Sequence, residues 1–245
     1  YKGAMKYEFD CHIHSIGSGH AYSTIQEIAA SAKKKKLKMI AITDHGPALP
    51  GASHIFYIAN LKVLPKKMSG VEVLRGVEAN IVDYNGNLDV DDKRLSRLDI
   101  VLAGYHDSCI EPAGAEDHTE GMMMVMENPF VDVIVHPGNP KFPIEIDKVL
   151  RKARETNTLI EINNSSFWIS REGSLKNCAA IAKLCKKYGV PVIVGSDAHV
   201  ASRVGEFGKV KKLFAQIEMP EDLIMNRSIK ALKSYLKGKG KERFT

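Results

Sequence analysis

Seven short apolar runs, rich in β-branched residues, recur along the chain and constrain its fold more than any other feature. They span residues 7–15, 39–44, 71–80, 100–106, 131–136, 158–163 and 191–195. Between most of them apolar residues recur at helical spacing, as in Ile25, Ile28 and Ala29. Strands that alternate with helices form a parallel sheet, so the pattern predicts an α/β fold.

Three of these runs contain continuous apolar segments, at residues 39–42, 133–135 and 192–194. Strands covered by helices on both faces have this character. Seven such units in 245 residues predict a distorted (β/α)7 barrel, similar to a TIM barrel and forming a single domain. An open, doubly wound sheet is the alternative. The pair Asn85-Gly86 predicts a short antiparallel hairpin after the third strand.

The first apolar run contains several potential metal ligands. The two-residue period of a strand places Asp10, His12 and His14 on one face, with the two imidazoles about 7 Å apart. A glycine-containing turn follows and brings His20 to the carboxyl end of the same strand. A single His-x-His pair is weak evidence for a metal, because such pairs also occur in ordinary protein cores.

Most of the other histidines also stand at the ends of apolar runs, whereas His54 and His118 do not and are not expected to be ligands. The carboxyl ends of parallel strands meet at one end of an α/β architecture, where active sites form. We therefore expect a multinuclear metal site there. The polar residues at the ends of the later runs are Asp44, His45, Glu78, His106, Asp107, His136, Asn163, Asn164, Asp197 and His199.

Imidazole and carboxylate groups together suit zinc, manganese or iron rather than magnesium or calcium. Seven histidines with Glu78 and Asp197 make nine candidate ligands, which is too many for one tetrahedral ion and enough for two or three. Paired metals activate water near neutral pH and neutralise charge on the oxygens of a displacement at phosphorus. The donor set therefore indicates a phosphoesterase.

Six motifs, in order along the chain, resemble the PHP superfamily of polymerase and histidinol phosphatase metallohydrolases. They are Asp10-Cys-His-Ile-His-Ser, Ile42-Thr-Asp-His, Gly76-Val-Glu, Gly104-Tyr-His, Val135-His-Pro-Gly and Gly195-Ser-Asp-Ala-His. Further strings, including His20-Ala-Tyr-Ser-Thr, Leu74-Arg-Gly-Val-Glu-Ala-Asn-Ile and Glu161-Ile-Asn-Asn-Ser-Ser-Phe, are similar to the YcdX-type phosphatase branch. The resemblance spans nearly the whole chain from Met5.

This resemblance implies a trinuclear, usually zinc, centre in a distorted (β/α)7 barrel that hydrolyses phosphate esters with a bridging hydroxide as nucleophile. Manganese or iron is also compatible with the donors. Carried over by position, one metal takes His12, His14, Glu78 and Asp197, a second shares Glu78 and adds His106 and His136, and the third takes His20, His45 and His199. The same four first-metal residues would hold the hydroxide. Asp107 has two open interpretations from its position alone: it could assist as an acid or simply be hydrated.

Other polar residues near the run ends are candidates for secondary roles. Arg171, Arg203, Lys141 and Asn164 are the candidate substrate contacts, the two arginines because a guanidinium can grip a phosphate through two hydrogen bonds. Asp10 and Asp44 have two open interpretations: each could orient a ligand histidine through its other ring nitrogen, or form ordinary hydrogen bonds at a strand end.

Charge and composition limit the range of partners and locations. The net charge of +6 resides largely in residues 33–36 and in the segment 237–243, which we expect to be solvated surface rather than a nucleic-acid site. Four cysteines without Cys-x-x-Cys spacing and the lack of an apolar run of about 18 residues predict a cytoplasmic protein without membrane spans. Residues 1–4 precede Met5 and are expected to be a cloning remnant, so that 5–245 form the metallophosphoesterase domain.

The leading functional hypothesis is a metal-dependent phosphatase acting on monoesters of a small phosphorylated metabolite. A phosphodiesterase or 3′-to-5′ exonuclease of the PHP type and a non-catalytic, metal-binding regulatory module are the alternatives. A homo-oligomer is expected from the resemblance only, because nothing in the sequence itself defines an oligomeric state.

Overall fold

The computed structural model describes residues 6–167 and 170–245. The strands are β1 (Phe9–Asp10), β2 (Met39–Ile42), β3 (Lys67–Met68), β4 (Val71–Asn80), β5 (Ile100–Gly104), β6 (Val133–Ile134), β7 (Leu159–Asn163) and β8 (Val192–Gly195). The helices are α1 (Ile25–Lys34), α2 (Ile55–Asn60), α3 (Asp92–Leu95), α4 (Ala115–Glu127), α5 (Ile146–Glu155), α6 (Ser174–Tyr188), α7 (Gly208–Gln216) and α8 (Ile229–Gly238). None of the described helices is both long and apolar enough to cross a bilayer.

Seven of the strands are parallel and pair in the order β1-β2-β4-β5-β6-β7-β8, which confirms the predicted seven-stranded α/β barrel. The long strand β4 pairs with β2 through residues 72–75 and with β5 through residues 76–80. This stagger between neighbouring strands is the geometry that curls a sheet into a barrel. The sequence pattern did not predict β3, which adds a short antiparallel edge to β4.

The hairpin predicted at Asn85-Gly86 is present after β4. Ile81 and Leu88 form an antiparallel bridge, and Val82 donates a hydrogen bond to the carbonyl of Asn87. Gly86 has a φ of +82°, a conformation that side-chain-bearing residues rarely adopt. The glycine therefore fixes the position of this turn.

The barrel closes between β1 and β8 in two different ways. Near the carboxyl ends, Ile13 and Ala198 form a direct parallel bridge. Nearer the amino ends, the buried amide of Asn226 lies between the two strands. Its Oδ1 accepts a hydrogen bond from the Val194 N–H at 2.6 Å, and its Nδ2 donates to the carbonyls of Val194 at 2.8 Å and Phe9 at 3.2 Å. One side chain thus satisfies backbone groups that a continuous ladder would have paired.

Alternation along the strands separates an inner core from an outer one. In β4, Leu74 belongs to the inner core and Val73 and Val77 to the outer core beneath the helices. At the amino end of the barrel, Leu232 and Leu236 of α8 are fully buried in the inner core. Helix α8 therefore plugs one end of the barrel and leaves the carboxyl end to polar side chains.

The expectation of a solvated segment at residues 237–243 was wrong for two of its charges. Lys241 is 2% exposed, and its ammonium group lies 2.8 Å from the carboxylate of the fully buried Asp132. Arg243 pairs with Asp99 and Glu72 at 2.8 and 3.0 Å. The tail after α8 folds back across the amino ends of the strands, where buried carboxylates stabilise its cations. Composition alone cannot predict that arrangement.

Replacing Asn226 with leucine should lower the free energy of unfolding by roughly 2 to 4 kcal/mol, because three buried backbone groups lose their partners. Urea denaturation followed by circular dichroism would measure the loss. Asn177→Ala is the matched control, since this half-buried amide makes one hydrogen bond, to the Gly138 carbonyl. Equal stability of the Asn226 variant and the control would contradict the role assigned to Asn226.

Candidate metal centre

The carboxylate of Glu78 lies at the centre of the polar end of the barrel. It points inward because it continues the face of β4 that begins with Leu74. Five imidazole nitrogens surround this fully buried group. Its Oε2 lies 3.1 Å from His12 Nε2, 3.2 Å from His14 Nε2 and 3.1 Å from His45 Nδ1, and its Oε1 lies 3.1 Å from His106 Nε2 and 2.7 Å from His136 Nε2.

Asp197 supplies a second buried carboxylate on the opposite side of the cluster. Its Oδ1 lies 3.2 Å from His14 Nε2, 3.6 Å from His12 Nε2 and 3.5 Å from His199 Nδ1. His20 joins the group through His199, with 2.9 Å between the two Nε2 atoms. The structure therefore brings together all nine residues that the sequence analysis expected to converge.

The protonation of His20 and His199 is constrained by their backbone partners. His20 Nδ1 contacts the Ser18 carbonyl at 3.0 Å, and His199 Nδ1 contacts the Asp197 carbonyl at 3.1 Å. A carbonyl oxygen only accepts hydrogen bonds, so each Nδ1 carries the proton and each neutral ring presents a lone pair at Nε2. Two lone pairs at 2.9 Å repel each other unless a positive charge, a proton or a metal ion, lies between them.

The same constraint applies to His12 and His14, whose Nε2 atoms are 3.1 Å apart. His12 Nδ1 donates to Glu161 at 2.7 Å. His14 Nδ1 contacts the Ser18 hydroxyl at 3.0 Å, and that hydroxyl donates its own proton to Asp44 at 2.7 Å. Both rings therefore direct their Nε2 atoms at each other and at Glu78, where a cation would stabilise them.

Several atoms that face the cluster lack hydrogen-bond partners although they are buried. They include His45 Nδ1, both ring nitrogens of His106 and Asp197 Oδ1. Burying such groups without partners costs free energy, and a bound cation removes that cost. Three sets of donors lie close enough together to hold an ion. The first set is His12, His14 and Glu78, the second is His45, Glu78 and His106, and the third is His14, His45 and His199. The donor set fits divalent metal binding.

The electrostatics of the cluster also favour positive charge. Burial opposes a charge on His14, but the nearby carboxylates of Asp197 and Glu78 raise its pKa to about 9. Burial raises the pKa of Glu78, yet the surrounding histidines, His45 first, hold it well below its usual range. By contrast, burial lowers the pKa of His136 and of His199 to about 4, which keeps both rings neutral and able to donate a lone pair.

Unusual backbone geometry places two of these candidate ligands at the strand ends. His136 and Asp197 follow β6 and β8 with φ angles of +37° and +53°, a region that non-glycine residues rarely occupy and that costs energy. Two glycines leave space for the side chains of the cluster and of Glu161. A Cβ on Gly104 would lie 2.7 Å from His136 Cε1, and one on Gly195 would overlap the carboxylate of Glu161.

Glu161, which was not predicted from the sequence, orients two histidines from within β7. Its Oε1 accepts the His12 Nδ1 proton, and its Oε2 accepts the backbone N–H of His136 at 2.8 Å. Asn163, two residues further along the same face, also donates to it at 3.1 Å. The available signal was the sequence Leu159-Ile-Glu161-Ile-Asn163, in which a carboxylate replaces an inward-facing apolar residue as Glu78 does in β4.

The structure gives Asp10 and Asp44 different roles. Asp44 acts on His14 through Ser18 and also accepts hydrogen bonds from the hydroxyls of Ser15 and Tyr57, both at 2.6 Å. Asp10 instead accepts backbone N–H groups, including that of Gly205 at 2.8 Å. Regular strand pairing of β1 ends at Asp10. The single strand face that Asp10, His12 and His14 were predicted to share is therefore interrupted.

His54 and His118 lie outside the cluster, as expected. His54 caps α2 by accepting a hydrogen bond from the Phe56 N–H at 3.3 Å. His118 is fully buried in α4 and bonds to the Ala113 N–H and the Pro143 carbonyl, both at 2.9 Å. Both imidazoles therefore have local structural partners.

A cavity of about 490 Å³ opens above the cluster. Arg171, Arg203 and Asp107 line it together with His20, His45, His106, Asp197 and His199. Arg171 also pairs with Asp197 at 3.0 Å, and Arg203 with Glu206 at 3.3 Å. The other two candidate contacts have different positions: Lys141 pairs with Asp107 at the surface, and Asn164 caps α7 by accepting the N–H groups of Lys209 and Val210.

A parallel α/β barrel with a histidine and carboxylate cluster at the carboxyl ends of its strands defines the class as a TIM-like barrel with a candidate metal centre. The chain belongs to the PHP family: a family model described as "PHP domain" matches residues 10–165, and one described as "PHP-associated" matches residues 177–225.

Curated relatives match over almost their full length. A protein named "Probable phosphatase" from Acetivibrio thermocellus is 51% identical over 239 residues, with 98% of each chain covered. One of the same description from Thermoanaerobacter sp. strain X514 is 52% identical over 236 residues, with 96% of each covered. Among solved structures, histidinol phosphate phosphatase from Lactococcus lactis, complexed with zinc, L-histidinol and phosphate, aligns with a TM-score of 0.59 at 15% identity, covering 87% of this chain and 95% of that one. This last likeness supports the fold.

Substituting Glu161 with alanine should lower the free energy of unfolding by about 2 to 4 kcal/mol even with a chelator present, because three buried N–H donors lose an acceptor. Glu161→Gln, which retains an acceptor oxygen, should lose less. Denaturant titration in chelator measures both variants without any contribution from metal. Glu155→Ala, at an exposed position of α5, is the control, and a Glu161→Ala protein as stable as this control would disprove the orienting role.

Proposed function

We propose that the protein is a metal-dependent phosphatase that hydrolyses phosphate monoesters of small metabolites with three divalent ions. The observation that carries the proposal is the convergence of nine imidazole and carboxylate donors whose lone pairs face one another around Glu78. The 51% identity to a protein named as a probable phosphatase supports the same activity.

The nine candidate ligands divide into three proposed sets, two of which include a carboxylate. His12, His14, Glu78 and Asp197 would hold one ion, Glu78 with His106 and His136 a second, and His20, His45 and His199 a third. The contacts of His136 and His106 with the same Glu78 oxygen, and of His20 with His199, support this division. His45 lies near both Glu78 and His199, so it stands between the second and third sets. Zinc suits these donors, and manganese or iron would also fit.

When bound, divalent ions supply a Lewis acid that activates water near neutral pH and neutralises charge on phosphoryl oxygens. The residues of the chain prepare the site for this chemistry. Glu161 and the Ser18–Asp44 pair hold the His12 and His14 rings in the tautomers that present Nε2. Arg171 lies on the cavity wall beside Asp197, where its guanidinium can bind the phosphate.

The cavity supports a small substrate. Its volume of about 490 Å³ is within the ordinary range for small-molecule sites. Arg203 adds a second cation to the wall, and Tyr22, Leu49 and Val200 add apolar surface that the released alcohol can contact. Asp107 lies half exposed at the rim, but its pair with Lys141 lowers the pKa of this carboxyl, so that it is poorly suited to act as the assisting acid.

His14→Ala and Glu78→Gln should each reduce kcat by at least about a thousandfold, because Glu78 is shared by two of the proposed ligand sets and His14 is a donor of the first. The metal content, measured by elemental analysis, should fall from three ions per chain. His54→Ala, outside the cluster, should retain wild-type activity and metal. Near-native turnover of either cluster variant in excess metal would reject that residue as a ligand.

The monoester assignment predicts faster hydrolysis of p-nitrophenyl phosphate than of bis-p-nitrophenyl phosphate, by at least about tenfold in kcat/KM. A terminal phosphate presents the charge that suits the two arginines and the proposed metals, whereas a diester carries less charge and a second bulky group. A preference for the diester would favour phosphodiesterase activity. No hydrolysis of either ester by metal-replete protein would favour a regulatory module.

A further inference from the structure

A second polar cavity, of about 500 Å³, lies on the outer wall of the barrel between α2 and α3. It has no lining residue in common with the cavity above the metal centre. Its lining contains five cationic side chains and one carboxylate, namely Lys62, Arg75, Lys93, Arg94, Arg97 and Glu242. These cations come from three separate parts of the chain, so the fold concentrates charge that the sequence disperses.

Neighbouring carboxylates neutralise this charge only in part. Arg75 forms a bidentate pair with Asp99, but Asp99 also pairs with Arg243. Arg94 pairs with Asp91. Arg243 has a second carboxylate partner in Glu72, so the net positive charge of the cavity wall comes from its five lining cations, against one lining carboxylate, Glu242.

Three of the cations have no anionic partner among the residues that the structure describes. Lys62, Lys93 and Arg97 form no ion pair with any residue of the segments 6–167 and 170–245. All three side chains are exposed and free to contact a ligand. Like charges gathered around a concave surface raise the local potential and attract anions.

The shape of the cavity favours a small organic anion. The apolar part of the lining consists of Ala59 of α2, which is exposed, and of Ile58 and Leu98, which are only 2% and 6% exposed. Arg75 is held rigidly in β4 by its pair with Asp99, and a guanidinium matches the spacing of phosphate oxygens better than an ammonium group does. The combination resembles small-molecule sites, in which apolar surface surrounds a few charged groups.

We propose that this cavity binds a small, soluble molecule bearing a phosphate group, at a site separate from the metal centre. Its cations contact the phosphate, and the apolar part of the lining contacts the organic part. The site is independent of the proposed catalytic activity, because none of its residues belongs to the metal cluster or to the cavity above it.

Phenylphosphonate is a suitable probe, because its phosphorus–carbon bond resists phosphatase action and its ring can contact the apolar part of the lining. Calorimetric titration of zinc-loaded wild-type protein should give two binding events per chain. One should match the inhibition constant for p-nitrophenyl phosphate hydrolysis, and the other should be independent of activity. A single event per chain, up to about 10 mM probe, would overturn the proposal.

Charge-reversal variants of the lining residues test whether the second binding event takes place in this cavity. Lys93→Glu combined with Arg97→Glu should weaken it at least tenfold, and Lys93→Gln with Arg97→Gln should weaken it less, with the inhibition constant unchanged in both. Lys183→Glu combined with Lys212→Glu changes the net charge equally at exposed positions elsewhere and should retain both events. Equal loss in this control would show that only overall charge matters and would also overturn the proposal.

Discussion

The carboxylate of Glu78 is the group on which the polar end of the barrel depends. Five imidazoles from four different strand ends approach its two oxygens, at distances between 2.7 and 3.2 Å. A buried charge with so many partners ties the surrounding loops to one geometry. The long strand β4 makes this possible, because its second half carries Glu78 beyond the end of β2 and into the middle of the cluster.

Much of this arrangement could be predicted from sequence, since polar groups at the ends of apolar runs meet whenever parallel strands form a barrel. The nine-residue cluster followed from that rule. Glu161 was missed although it stands, like Glu78, two residues before the end of its run, and the alternation Leu159-Glu161-Asn163 carried the information. Contacts made by remote loops, such as Ser18 with Asp44, have no comparable local signal.

The sequence was also a poor guide to the environment of several charged side chains, because tertiary structure determines their partners. Lys241 and Arg243 look like a solvated tail in sequence, yet they pair with buried carboxylates at the amino ends of the strands. The cations around the second cavity show the converse, because residues far apart in sequence gather with few counter-charges. In both cases the fold, rather than the local composition, determines the electrostatic environment.

Closure of the barrel by Asn226 and α8 has a consequence for the order of assembly during translation. The residues that seal the gap between β1 and β8 and fill the lower core leave the ribosome after all seven parallel strands. Near the carboxyl ends, by contrast, backbone hydrogen bonds of His14 with Ala198 and of Asp197 with His12 join the two edges directly. The histidine-rich end can therefore take its geometry once β8 has emerged, whereas the opposite end of the barrel is sealed only after the last part of the chain has docked.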